Sequence, residues 1–136
     1  MGTDGIKIGI ISCSGEALPE GTVSRLACRK VLDTVRPGKT VTICLPLFVA
    51  GGEEERRFTA KYPTITIDGC EKLCAAKATE TLSGKPTRSL VVREILKNLG
   101  IHSPTRVRNF GEVEQVAVQV VAEEIAEVVD EILEEA

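Results

Sequence analysis

Apolar and polar positions follow two different periods along the first two thirds of the chain. Short β-branched runs, typical of buried strands, cover residues 6–11, 40–45 and 64–67. Each run is followed by a segment with apolar residues at helical spacing, most clearly residues 23–35, and Pro or Gly residues separate the segments. Strands that alternate with helices in this way predict a parallel sheet with right-handed crossovers and helices on both faces.

Two further elements complete the pattern. Residues 88–99 predict a short strand followed by a turn or two of helix. Residues 110–136 carry an apolar stripe opposite Glu and Gln, which predicts a long amphipathic helix that docks on the body or on a partner. We therefore expect one domain over residues 1–136. Its predicted fold is a small three-layer, Rossmann-like α/β/α arrangement with about four mostly parallel strands and an acidic C-terminal helix.

Charge is distributed unevenly over these elements. The formal net charge is −3, yet nine of the 20 acidic residues and none of the 17 basic ones lie after residue 110. This predicts an acidic helix on a mildly basic body, and its acidic face is a candidate surface for a protein partner. Nucleic-acid binding is disfavoured, because one Tyr and no Trp supply little for base stacking.

The cellular compartment affects how the cysteines are interpreted. No apolar run approaches the roughly 18 residues of a membrane helix, and residues 8–11 lack the flanks of a secretory signal. We therefore expect a cytoplasmic protein with no membrane contact. Five cysteines in such a chain argue against a disulfide framework and favour metal binding, redox chemistry or simple burial.

Four of the five cysteines follow the predicted strands. Cys13 comes just after the first strand, Cys44 at the end of the second, and Cys70 just after the third, with Cys74 four residues further on. The carboxyl ends of parallel strands share one edge of a sheet, where ligand sites form. We therefore expect these four thiols to share a site. Cys28 lies in the middle of a predicted helix and is interpreted as a packing residue.

The stretch Asp68-Gly69-Cys70-Glu71-Lys72-Leu73-Cys74 is the centre of this predicted site. A helix is expected from about residue 70 to 82, with both thiols on one face of its first turn, where the helix dipole favours a thiolate. Asp68 is expected to cap that helix or to orient the site. Gly15 and Gly69 are expected to allow close turns, and Ser14 to donate a hydrogen bond to a thiolate.

The chemistry of the four thiols indicates a metal. Four thiolates form a complete tetrahedral ligand set for zinc, so Cys13, Cys44, Cys70 and Cys74 are the predicted zinc ligands. Soft sulfur ligands would also suit an iron–sulfur cluster or copper(I). The single imidazole, His102, is interpreted as a surface residue rather than a ligand.

These motifs resemble a known family. The resemblance covers roughly residues 6–80 and is carried by Cys13-Ser14-Gly15, Cys44-Leu45 and Asp68-Gly69-Cys70-x3-Cys74. The chain is similar to the DGC-domain proteins, which are named for the Asp-Gly-Cys motif and to which zinc binding through four cysteines is ascribed. The resemblance implies that Cys13, Cys44, Cys70 and Cys74 bind the metal, and it implies no particular reaction.

Three other functions stay open at this point. Thiol redox chemistry, or carriage of sulfur or selenium, would use Cys70 as the attacking thiol and Cys74 or Cys13 as the resolving one. A metal-stabilised interaction module would dock through the acidic helix. A phosphatase or arsenate-reductase-like enzyme is disfavoured, because Pro19 stands where a Cys-x5-Arg loop needs its arginine.

Overall fold

The computed structural model describes residues 5–136. Its strands are β1 (Ile8–Ser12), β2 (Thr40–Val41), β3 (Thr64–Asp68) and β4 (Arg88–Val91). Its α-helices are α1 (Pro19–Lys30), α2 (Pro46–Ala50), α3 (Glu53–Arg56), α4 (Phe58–Lys61), α5 (Cys74–Leu82), α6 (Val92–Leu99) and α7 (Glu112–Glu135). Helix α1 continues into a π-helical turn, Val31–Val35.

The four strands form one parallel sheet in the order β2-β1-β3-β4. Ser12 at the end of β1 is in register with Ile67, and Ile67 is in register with Leu90 of β4. The carboxyl ends of these three strands therefore lie side by side at one edge. The predicted small α/β fold with a parallel sheet and a long C-terminal helix is confirmed.

The larger apolar cluster lies on one face of the sheet. Alternate side chains of the two central strands point into it, namely Ile8, Ile10, Ile65 and Ile67, all fully buried. Helices α1, α6 and α7 cover this face and contact one another. These branched side chains are buried at every second position, so a shift by one residue would move them to the other face of the sheet. Their burial therefore fixes the register of the strands.

Helix α7 is part of this core. Its apolar stripe packs along α1, and Ala117, Val121, Ile125 and Val129 are fully buried in the same cluster as the strand isoleucines. The predicted amphipathic helix therefore docks on the body of its own chain. Asp130 and Glu131 lie outside this stripe and pair with Arg36 and Arg88. Glu114 is the buried exception, and its carboxylate accepts hydrogen bonds from the N–H groups of Thr105 and Gly111.

The other face of the sheet carries a smaller cluster. Its buried members are Ile11, Phe48, Phe58 and Ala75, contributed by β1, α2, α4 and α5. The β3 residues on this face are polar, and the Thr66 hydroxyl lies 2.7 Å from that of Ser89. None of the helices within residues 5–136 is both long enough and apolar enough to cross a membrane.

The predicted second strand is wrong beyond Val41. Residues 40–45 were expected to pair along their whole length, but only Thr40 and Val41 pair with β1. The Thr42 hydroxyl then donates a 2.6 Å hydrogen bond to the Ile10 carbonyl, which takes an acceptor that a ladder N–H would otherwise use. Cys44 consequently lies on an irregular, exposed segment and not at a strand end.

We expect Ile125→Ala to lower the free energy of unfolding by about 2–5 kcal/mol, because it leaves a cavity among fully buried side chains. Urea denaturation followed by circular dichroism measures this. Glu127→Ala on the exposed face of the same helix is the matched control and should change stability by no more than about 0.5 kcal/mol. Equal effects would contradict the packing of α7 described above.

The Arg36–Asp130 pair makes a pH-dependent contribution. Two hydrogen bonds from Arg36, of 2.9 and 2.7 Å, hold the pKa of Asp130 below its ordinary value. A depressed carboxyl pKa stabilises the fold above the unfolded-state pKa, and this contribution is lost as the pH falls through the folded-state pKa. Asp130→Asn should cost a few tenths to about 1 kcal/mol at pH 7. That deficit should shrink as the pH falls below the ordinary Asp pKa of about 3.9, and a constant deficit would contradict this origin.

Candidate functional site

Cys13 is fixed by the sheet itself. Its backbone N–H donates a 3.0 Å hydrogen bond to the Ile67 carbonyl, which extends the β1–β3 ladder by one residue. Its half-buried sulfur lies 3.2 Å from the hydroxyl oxygen of Ser24. That hydroxyl donates to the Gly21 carbonyl at 2.6 Å, so the neutral Cys13 thiol donates to Ser24. A Cys13 thiolate would instead accept a hydrogen bond from the Ser24 hydroxyl, because a hydroxyl can act as donor or as acceptor.

Three glycines hold the Cys13 loop against the Asp68-Gly69-Cys70 motif. A Cβ on Gly69 would lie 2.4 Å from the Gly21 nitrogen, and one on Gly15 would lie 2.3 Å from the Gly21 carbonyl oxygen. Gly15 also has a φ of +69°, which a side chain would strain. Thr22 closes the arrangement by donating its hydroxyl proton to the Gly15 carbonyl. We call this backbone contact of Gly15, Gly21 and Gly69 the glycine contact.

The segment between Cys70 and Cys74 is a turn, so the predicted helix start at residue 70 is wrong. The N–H of Leu73 bonds to the Cys70 carbonyl, and Leu73 itself has a left-handed backbone with φ of 59°. This conformation interrupts any helix that begins earlier, and α5 begins at Cys74. Only Cys74 therefore occupies the first turn of the helix, while Cys70 lies on the loop before it.

Asp68 provides the predicted cap. Its buried carboxylate accepts hydrogen bonds from the N–H groups of Ala75 at 2.6 Å and Ala76 at 3.1 Å. Burial raises the pKa of Asp68, and these two hydrogen bonds oppose that rise. The carboxylate ties the end of β3 to the start of α5, and so it fixes both ends of the loop that carries Cys70.

Arg93 holds the same loop from the other side. Its backbone N–H donates to the Gly69 carbonyl at 3.2 Å, and its guanidinium lies 3.4 Å from both Glu20 and Glu71. The Glu20 hydrogen bond is the main reason that the pKa of Arg93 is raised, and the charges of Glu20 and Glu71 add to the effect. Arg93 thus contacts the residues on both sides of Cys70, namely Gly69 and Glu71.

The thiols line two adjoining cavities. Cys13, Cys70 and Cys74 line one of about 280 Å³, which we call the Cys70 cavity. Cys13, Cys28 and Cys44 line a neighbour of about 370 Å³, which we call the Cys44 cavity. The structure thus places all four predicted site residues at the carboxyl edge, with Cys13 shared between the two cavities.

Among the described residues, the cysteine side chains do not form a complete set of metal ligands. Within residues 5–136, no three His, Cys, Asp or Glu side chains are arranged closely enough to hold a metal ion. All five cysteines are free thiols. Cys44 and Cys74 are exposed, while Cys13 and Cys70 are half-buried.

Cys28 behaves as a packing residue. It is 4 % exposed and belongs to the larger apolar cluster. Burial raises the pKa of its thiol far above the ordinary value, the proximity of Cys13 raises it further, and a hydrogen bond with Ser12 opposes the shift. His102 is exposed, as expected for a surface residue.

Sequence reasoning missed several residues that build the site. Ser14 was expected to donate to a neighbouring thiolate, but the serine that contacts the Cys13 sulfur is Ser24. Gly21 and Arg93 were not expected to contribute at all. Ser24 lies four residues before Cys28 on α1, which was a usable signal that Ser24 lies on the buried face of that helix. Arg93 had no such signal, because its contacts join segments that are distant in sequence.

The fold and these loops define a small α/β protein with a cluster of thiols at the carboxyl edge of its sheet. The family model of the DGC domain matches residues 9–132. Because the match covers nearly the whole chain, the chain belongs to the DGC domain family. Searches of curated proteins and of solved structures each gave no match.

We expect Gly69→Ala to disrupt the glycine contact, because its Cβ would collide with backbone atoms of Gly21 that cannot rotate away. The expected loss of stability is about 1–3 kcal/mol. Alkylation of the half-buried Cys13 should also become faster as its loop separates from the motif.

Gly52→Ala is the matched control. A Cβ there meets nothing nearer than 3.9 Å, and it should cost no more than about 1 kcal/mol through a weaker helix cap. Urea denaturation and mass-spectrometric alkylation kinetics measure both variants. Unchanged stability and unchanged Cys13 alkylation in Gly69→Ala would contradict the role given to the contact.

Proposed function

We propose that this DGC-domain protein binds zinc through Cys13, Cys44, Cys70 and Cys74. The observation that carries the proposal is the shared position of Cys13. It lines one cavity with Cys70 and Cys74 and the adjoining cavity with Cys44. Four thiols supplied by three separate segments at one sheet edge match the donor number and softness that zinc prefers.

The expected mobility of each cysteine supports the formation of a four-thiolate site around Cys13. Cys13 is anchored by a ladder hydrogen bond, whereas Cys44 and Cys70 lie on irregular segments. The exposed thiols of Cys44 and Cys74 can turn towards Cys13 without breaking a strand. Ser24 would donate to the Cys13 thiolate, and Arg93 would offset part of the negative charge near Cys70.

A zinc ion held by four thiolates would supply stability rather than an open position for catalysis. It would join the ends of β1 and β3, the first turn of α5 and the segment after β2. An iron–sulfur cluster or copper(I) would use the same donors, so elemental analysis is part of the test. Reduced thiols require a reducing compartment, and the proposal therefore places the protein in the cytoplasm.

Thiol redox chemistry is the second candidate. Cys70 and Cys74 line one cavity together with Cys13, and Cys74 is exposed to an incoming substrate. This arrangement would suit an attacking thiol and a resolving thiol, or a carrier of sulfur or selenium. The acidic face of α7 is retained in either case as a surface for a protein partner.

Metal content of anaerobically purified protein tests the proposal. We expect about one zinc per chain, as tetrahedral four-thiolate sites hold. Replacing Cys13, Cys44, Cys70 or Cys74 by Ala should reduce the zinc content, and Cys28→Ala is the control that should retain it. A chelator should lower the melting temperature of the wild-type protein.

Two results would overturn zinc binding. Metal-free protein that loses two thiols on mild oxidation and regains them with reductant would support redox chemistry. Metal-free protein whose five thiols are all inert would assign the cysteines to packing.

A further inference from the structure

The Cys44 cavity carries features that a zinc site does not use. Its volume of about 370 Å³ falls within the range of small-molecule sites. Besides three cysteines, charged residues of both signs line it, namely Arg25, Arg29 and Glu16. The apolar part of the wall comes from Leu32, Ile43, Leu45 and Pro46. Because the Cys44 thiol is exposed and side chains of both charge signs line the cavity, it suits a polar ligand that contains a sulfur atom.

Of the charged side chains that line this cavity, Arg25 and Glu16 have no partner among the residues that the structure describes, whereas Arg29 is already paired. Arg29 makes a bidentate pair with Asp33, with hydrogen bonds of 2.9 and 2.7 Å. Within residues 5–136, neither Arg25 nor Glu16 forms an ion pair or a side-chain hydrogen bond. Arg25 is thus available for a carboxylate and Glu16 for an ammonium group, and both are exposed at the cavity.

Cys44 is the thiol that such a ligand would meet. It is exposed, and its segment is anchored on both sides, by the Thr42 hydroxyl on Ile10 and by its own carbonyl, which accepts the N–H of Leu47. Ile43 and Leu45, on either side of Cys44, pack into the smaller apolar cluster. Cys44 itself is not a member of that cluster, and its side chain is exposed at the cavity.

We propose that the Cys44 cavity binds a small zwitterionic disulfide, the oxidised form of an amino-acid thiol, and that Cys44 is thiolated by it. Arg25 binds a carboxylate of the ligand and Glu16 binds an ammonium group, which brings the disulfide to Cys44. The Cys44 thiol first loses its proton to solvent, and its thiolate attacks one sulfur of the ligand. A new S–S bond forms while the ligand S–S bond breaks, and the other half leaves as a thiolate that takes up a proton. The protein thiol is oxidised and the ligand is reduced.

This proposal does not rest on zinc binding. It is tested on the full chain after reduction and removal of metal, so a failure of one proposal does not decide the other. Cys74 is an internal reference, since it is also exposed and its cavity shares Glu16 but not Arg25 with the Cys44 cavity. The probe is cystine, and bis(2-hydroxyethyl) disulfide is the uncharged comparison. Samples are quenched by alkylation, and peptide mass spectrometry gives the rate of thiol loss at each cysteine.

With cystine, we expect Cys44 to lose its free thiol about tenfold faster than Cys74, the ratio that one charge-assisted hydrogen bond supplies. With the uncharged disulfide, the ratio should fall to about two or less. Arg25→Gln should remove most of the preference for cystine, whereas Glu16→Gln should slow the reaction with cystine at both thiols, because Glu16 lines both cavities. Lys30→Gln makes the same charge change as Arg25→Gln on α1 but outside the cavity lining, so it should keep the preference.

The proposal is overturned if Cys44 and Cys74 react with cystine at equal rates. It is also overturned if the preference for Cys44 persists with the uncharged disulfide, or if Lys30→Gln removes it as fully as Arg25→Gln does. Those outcomes would mean that Cys44 is merely an accessible thiol or that net charge alone sets its rate. Circular dichroism of each variant checks that the fold is retained.

Discussion

The glycine contact is the constraint on which the candidate site depends. Gly15, Gly21 and Gly69 bring three chain segments together at backbone distance, with no room for a side chain between them. Because Gly69 directly precedes Cys70 and Gly15 lies two residues after Cys13, the contact sets how close those two thiols can come. A single methyl group at this point would move one loop relative to the other, so the spacing of the thiols is set by main-chain packing.

The helical layers on the two faces of the sheet differ in the number of apolar side chains that they bury. The face covered by α1, α6 and α7 holds the larger cluster of fully buried branched side chains, and α7 is part of it. The other face has a smaller cluster with four buried apolar members, and the segment that carries Cys44 leads directly into α2. The face with the larger cluster thus supports the strand ends. We expect rearrangement of the irregular, thiol-bearing segments on the face with fewer buried contacts.

The sequence predicted the parts that depend on local patterns. Periodicity identified the sheet, the long C-terminal helix and the strand followed by helix over residues 88–99. The burial of Cys28 was predictable from its position within one helix, and the capping role of Asp68 from its position between a strand and the following helix. Placing Cys13 and Cys70 at one edge needed only the rule for parallel strands.

Prediction failed where a long-range or conformational choice outweighed the local pattern. The apolar run at residues 40–45 looks like a strand throughout, yet the Thr42 side chain replaces a ladder bond and ends the pairing. The left-handed backbone of Leu73 delays α5 to Cys74, although nothing in a leucine indicates it. Arg93 acts through partners more than 20 residues away, and Gly21 contacts Gly69 more than 40 residues away as well as the nearby Gly15, so neither role follows from the local pattern alone.

The most direct test of the proposed zinc site is an X-ray absorption spectrum at the zinc edge, recorded on the full chain loaded with one equivalent of zinc. Ligation by Cys13, Cys44, Cys70 and Cys74 predicts a first shell of four sulfur atoms at about 2.3 Å. The same shell should be retained in Cys28→Ala and should lose sulfur in Cys44→Ala. A shell made mostly of oxygen or nitrogen atoms at about 2.0–2.2 Å would contradict a four-thiolate site at this edge of the sheet.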